Sequence, residues 1–126
     1  MKIKMLAVAL LAVWGVQSPA LAASAKAPTA VGSCVATTIK EIGNRLEGMD
    51  DSGSLVVYAT GTYGVSYDTI EGIVGSKVGD KVELCLVSLP EDCPAGDERG
   101  KVYAAVNLRT QAFWELPDAE HMCGGA

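Results

Sequence analysis

The sequence predicts a mainly β domain: a small partly closed barrel of the OB or SH3-like type or a compact sandwich, with about five strands, stabilised by disulfides. Three observations predict it. Several short runs alternate apolar and polar residues with a period of two; Gly-rich turns separate them at close spacing; and four cysteines, Cys34, Cys85, Cys93 and Cys123, are spread over a short chain. The clearest strand lies in Lys77 to Pro94, where Val82, Leu84 and Leu86 alternate with Lys81, Glu83 and Cys85. Gly79-Asp80 supplies the turn before it, and Pro90 ends it by removing a ladder donor. Val87 and Leu89 make both faces apolar after Cys85, so this strand is expected to run into a covered interior and to be an inner stave.

Residues 1–22 read as a secretory signal peptide. Lys2 and Lys4 precede an apolar run from Met5 to Val16, Pro19 ends it, and Ala20-Leu21-Ala22 fits a small-x-small cleavage site. The run is too short to span a bilayer. The expected location is therefore periplasmic or extracellular, with no membrane association after cleavage. Residues 23–33 (ASAKAPTAVGS) are small and polar and read as a flexible leader. The single β-rich domain is expected over 34–126.

All four cysteines fall in the exported part, and an even count in an oxidising compartment argues for two disulfides. No paired C-x-x-C spacing supports a metal site. Three pairings are possible. Cys93 has little chain with which to return beside Cys85, which disfavours that pair; of the two pairings left, Cys34 with Cys85 and Cys93 with Cys123 is favoured.

The remaining elements follow in order. In Cys34 to Leu46, Val35, Ile39, Ile42 and Leu46 are spaced four, three and four, as on a helix face. Its β-branched content and Gly43-Asn44 favour a strand with a bulge near Gly43 instead. Leu55–Thr60 and Val65–Tyr67 flank Gly61-Thr62-Tyr63-Gly64 as a hairpin. Asp68–Ser76 suits one helical turn with Ile70, Ile73 and Val74 inward. Lys101–Leu108 reads as a strand with Val102, Ala104, Val106 and Leu108 on one face and Tyr103, Asn107 and Arg109 on the other. The tail from Arg109 is anchored by Phe113, Trp114, Leu116 and Pro117.

Ten Lys and Arg stand against 15 Asp and Glu, a formal charge of −5, which becomes −7 once Lys2 and Lys4 leave with the signal peptide. Such a surface repels phosphate backbones and anionic lipid, which argues against nucleic acid and allows a cationic protein or a small ligand. No catalytic constellation emerges. His121 is the only histidine, no serine sits in a G-x-S-x-G elbow, and Asp118, Glu120, His121 and Cys123 are too crowded for a metal. The acidic pairs lack a calcium-loop spacing. No cofactor is expected, and the chain is read as a non-catalytic binding or envelope-associated protein. Its candidate surface is Tyr63, Tyr67, Tyr103, Asn107, Arg109 and Trp114, because aromatic and Arg groups combine contact area with hydrogen bonding. Trp114 has the alternative role of a core plug.

Ser52-Gly53-Ser54-x-x-x-Tyr58, followed by Lys77 and Gly79-Asp80 ahead of a strand, resembles the signature region of the periplasmic and membrane-bound inhibitors of c-type lysozyme. The likeness covers residues 52 to 85. It implies a small, acidic, exported β-barrel in which Ser54 or Ser52, together with Lys77, contacts the lysozyme active site. Val78 separates the lysine from its glycine, and the segment from Glu91 onward has no counterpart in that family. Mass spectrometry of the exported protein should return an unmodified N-terminus near Ala23; an acylated Cys34 would contradict this processing.

Overall fold

In the computed structural model, residues 26–125 are described, together with Ala12, Trp14 and Gly15. The segment read as a signal peptide otherwise lies outside the described residues, as do residues 23–25 and Ala126, and no described helix is long and apolar enough to cross a membrane. Six antiparallel strands form one curled half-barrel: β1 (Cys34–Asn44), β2 (Ser54–Tyr58), β3 (Tyr63–Ser66), β4 (Lys81–Ser88), β5 (Val102–Asn107) and β6 (Phe113–Pro117). One helical turn, α1 (Glu71–Val74), joins β3 to β4. The strand order is β3-β2-β1-β4-β5-β6, so β4 is an inner stave as its sequence suggests.

The first element is a strand, and its irregularity lies at Lys40, before Gly43. Thr38 faces Lys81 of β4, while Glu41 faces Val57 of β2, with a register shift between Ile39 and Glu41. Lys40 is thus the extra residue of a β-bulge. It reverses the facing of everything after it: Thr37 and Ile39 point inward before the bulge, and Ile42 packs on the core after it. The helix-like spacing of three between Ile39 and Ile42 is what a bulge produces in a strand with one buried face.

Val82, Leu84 and Leu86 of β4 are buried between the core residues of β1 and β5. Val87 and Leu89 are exposed, against expectation. The β4–β5 register breaks between Leu86 and Ser88, and Leu89 lies beyond the strand end, so neither side chain continues the buried face. The faces of β5 are also the reverse of those expected. Leu86 pairs with Tyr103, Leu84 with Ala105 and Val82 with Asn107, which turns Tyr103, Ala105 and Asn107 into the core. Hydrophobicity alone assigned Val102, Ala104 and Val106 to that side; they are half-buried outside, and Leu108 is exposed.

The tail supplies a sixth strand. Trp114 and Leu116 of β6 are buried, whereas Phe113 points out. The Trp114 indole N–H donates to the Tyr58 hydroxyl at 2.8 Å inside the core, which makes Trp114 a core plug. Burial pushes the Tyr58 phenol up to about 12, a rise that the Trp114 hydrogen bond partly offsets. In α1 only Ile73 is fully buried; Val74 is exposed because a single turn can bury only one side. The segment read as a leader is tied down from Ala27, which packs against the core. Pro28 is buried, and Gly32 N–H donates to Leu86 O at 2.8 Å.

Both disulfides are as expected, Cys34–Cys85 and Cys93–Cys123. The first links directly paired residues of β1 and β4. The second closes the acidic loop onto the C-terminal segment, where Asp97 accepts from Arg99 Nε and Nη2 at 2.9 Å each and from Gly124 N–H at 3.0 Å.

At the opposite end Asp80 is a second hub. Its Oδ1 accepts from Arg109 Nε at 2.7 Å, and its Oδ2 accepts from Arg109 Nη2 (2.9 Å), Asn107 Nδ2 (2.9 Å) and Lys77 N–H (2.8 Å). Arg109 also donates to Gly75 O, and Asn107 to Ser76 Oγ. The β3–β4 connection and the β5–β6 turn are thereby fastened together through one carboxylate. These hydrogen bonds, those from Arg109 first, hold the Asp80 carboxyl well below the usual carboxylate range. A group lowered in this way contributes stability that is complete above its unfolded pKa, near ~3.9, and lost as pH falls through the folded value.

Asp80→Asn should therefore lower Tm by several degrees at pH 7, and the gap from wild type should narrow in scans taken progressively below about pH 4. A pH-independent gap would contradict this. Thr37 Oγ1 is buried with no partner among the described residues. Thr37→Val should consequently stabilise the domain by about 1 kcal/mol in urea unfolding, since an unmet hydroxyl is removed at nearly constant shape.

Candidate functional site

Beyond the bulge, the side chains of β1 that face away from the core are Glu41, Gly43 and Arg45. The registers carry them across the sheet in rows. Glu41 pairs with Val57 and Val57 with Tyr63; Gly43 pairs with Leu55 and Leu55 with Val65. One step further, Arg45 N–H donates to Gly53 O at 3.2 Å, and the Arg45 guanidinium lies 4.1 Å from the centroid of the Tyr67 ring. Gly53 makes this stack possible, because it places no side chain between Arg45 and Tyr67. Its φ is +114°, and a Cβ there would collide with Ser66 O. Glycine is required on both counts.

The result is an outer face that is apolar on β2 and β3, where a half-barrel ordinarily shows polar residues, and edged on β1 by Glu41 and Arg45. Tyr63 and Tyr67 are 48% and 57% exposed and stand four residues apart, about 13 Å at strand spacing. Between them Val65, and beside Tyr63 Val57, are only 7% and 6% exposed, yet neither belongs to the main core. A virtual Cβ on the inward Gly64 would touch Leu116, and β6 accordingly runs beside β3. That brings the outward residues of β6, the exposed Phe113 and Glu115, to the margin of this face. The far margin is set by Arg45, which donates to Ser52 O at 2.7 Å and pairs with Glu120 at 3.3 Å.

Of the six residues expected to form one surface, only Tyr63 and Tyr67 do so. Tyr103, Asn107 and Trp114 are buried. Arg109 is partly exposed, but its guanidinium is occupied by Asp80 and Gly75. Leu55, Val65, Phe113 and Arg45 were not among the expected residues. The β2–β3 alternation and the i, i+4 spacing of the two tyrosines carried the signal for the first two. Arg45 depends on the bulge, and Phe113 on the curl that brings β6 to β3.

The serines of the SGS segment have local structural roles. Ser52 Oγ accepts from Leu46 N–H at 3.0 Å and donates to Met49 O at 2.7 Å, closing the β1–β2 loop. Ser54 is buried, and its Oγ accepts from Ile70 N–H at 2.9 Å at the entry to α1. Lys77 is exposed on the turn before β4. On the inner side of β1, a groove of about 260 Å³ lies against α1, with Ile42, Asn44, Ser54, Ile73 and Val74 in its wall. Among the described residues one group could in principle ligate a metal, Cys34, Glu83 and Cys85, and its two sulfurs are bonded to each other. Asp118 and Glu120, near His121, are engaged by Gly100 N–H and Arg45.

Fold and site together define a disulfide-linked, six-stranded half-barrel with an aromatic outer face. No protein-family model matches the chain, and neither a curated protein nor a solved structure does. Gly53→Ala should destabilise the domain by about 2 kcal/mol in denaturant titrations, through backbone strain and the collision with Ser66. Gly43→Ala, in open space, should cost little. Equal effects would contradict the row geometry.

Proposed function

We propose that the protein is an exported, non-catalytic binding module that takes its ligand on the outer face of β1–β2–β3. The observation that carries this reading is the pair of half-exposed tyrosines flanking shielded aliphatic side chains on a hydrogen-bonded sheet. Half-exposed tyrosine rings offer contact area together with a hydroxyl for hydrogen bonding, and rings seated on a sheet or at a strand end bind with little loss of conformational freedom. The two disulfides suit a periplasmic or extracellular location.

Inhibition of a c-type lysozyme is the second reading, favoured by the exposed Lys77. Ser54 argues against it, because its hydroxyl is buried and already accepts a backbone hydrogen bond. No inhibition at micromolar protein is expected in a lysozyme assay.

The binding reading is tested by NMR-detected titration with short peptides and oligosaccharides of varied charge. Shift changes should concentrate at Leu55, Tyr63, Val65 and Tyr67, and Tyr67→Ala should weaken the responding ligand by about fivefold or more. Changes centred on the groove beside α1, unaffected by tyrosine substitution, would refute the assignment.

A further inference from the structure

We propose that the ligand of this face is a cationic, extended polypeptide segment; the inference rests on the binding reading above and adds the chemistry of the partner. Two observations point to it. The first is charge. Around the tyrosines stand the exposed carboxylates Glu41, Asp68, Glu115 and Glu120, against Lys40 and Arg45, in a chain whose formal charge is −5. Arg45 is already neutralised by Glu120 at 3.3 Å. With Glu120 taken up by Arg45, a Lys- or Arg-bearing partner meets Glu41, Asp68 and Glu115 at this rim, whereas an anionic one is repelled.

The second observation is the Arg45–Tyr67 stack itself. It is the only cation over a ring among the described residues, and it shows the face holding a guanidinium against an aromatic surface within the fold. Tyr63 offers the same surface with its ring half-exposed. A ligand cation on Tyr63 would have Glu41 two strands away, across Val57, about 10 Å at ordinary strand separation. The face is elongated because Tyr63 and Val65 lie on β3 and Tyr67 follows directly after its end. It therefore suits an extended chain whose alternate side chains fall on a ring, an aliphatic floor and a ring.

The test uses the full mature protein and two labelled probes, followed by fluorescence anisotropy at about 0.05 M salt. One is a short peptide alternating lysine and valine. The other is the same peptide with every lysine acetylated, which keeps length and apolar content but removes the charge. The lysine peptide should bind about tenfold more tightly than its acetylated counterpart and weaken as salt rises. Tyr63→Ala should weaken it by about fivefold, and Glu41→Gln combined with Glu115→Gln by a similar factor. These side chains are exposed, and unchanged melting of each variant is the control for folding.

Failure of the lysine peptide to bind, or equal affinity for both peptides, overturns the cationic assignment. If both bind equally and Tyr63→Ala still weakens both, the face remains a binding site and only the partner's charge is wrong. If Tyr63→Ala and Tyr67→Ala leave peptide binding unchanged, the cationic assignment and the binding face both fall.

Discussion

The bulge at Lys40 is the constraint on which the rest of the structure depends. A strand shows alternate residues to each side, so one inserted residue exchanges the two faces for everything that follows. Before it, β1 gives Thr37 and Ile39 to the core it shares with β4. After it, β1 gives Ile42 to the core and turns Glu41, Gly43 and Arg45 outward along β2. With unbroken alternation Glu41 and Arg45 would point into the barrel, and two charges without partners would have to be desolvated there. The same insertion thus keeps the core apolar, curls the sheet, and composes the outer face on which the proposed function rests.

The two ends of the half-barrel are held by polar hubs rather than by further apolar burial. Asp80 ties the turn before β4 to the β5–β6 turn, and Asp97 with Cys93–Cys123 ties the acidic loop to the C-terminal segment. Each carboxylate is held by several donors, including a bidentate arginine, an arrangement that fixes geometry as well as charge. A domain this small has a limited core, so such fastening matters more than it would in a larger one. It also leaves the outer face of β1–β2–β3 on a frame restrained from both ends.

Much of the architecture was legible because strong local signals agree with it. The alternation of Val82, Leu84 and Leu86 marks β4 and its buried face, and limited chain reach sets aside a Cys85–Cys93 pair, in line with the disulfides observed. Other features were hidden for identifiable reasons. The three-residue step from Ile39 to Ile42 belongs equally to a helix and to a bulged strand, and only the pairing with β2 and β4 separates them. Asn107 looks like a surface residue by polarity; it is buried because Asp80 and Ser76 meet it inside. Trp114 has the composition of a binding residue and the position of a plug, fixed by a hydroxyl far away in sequence, that of Tyr58. At the candidate site Tyr63 and Tyr67 were readable as a pair, while Arg45 and Phe113 join them only through the bulge and the curl of the sheet.

The central claim is that the chain reverses its facing at Lys40 and so presents Arg45, Leu55, Val65 and Tyr67 together on the outside. A side-chain NOESY of the isotope-labelled protein tests it most directly. The account predicts contacts between Arg45 methylene protons and the Tyr67 ring, with ring-current upfield shifts of the former. It also predicts Leu55 to Val65 methyl contacts and Ile42 to Ile73 contacts on the opposite face. Contacts from Arg45 or Glu41 to Ile73, Leu84 or Trp114 would mean that β1 keeps its facing, and would contradict both the fold of this half and the site built on it.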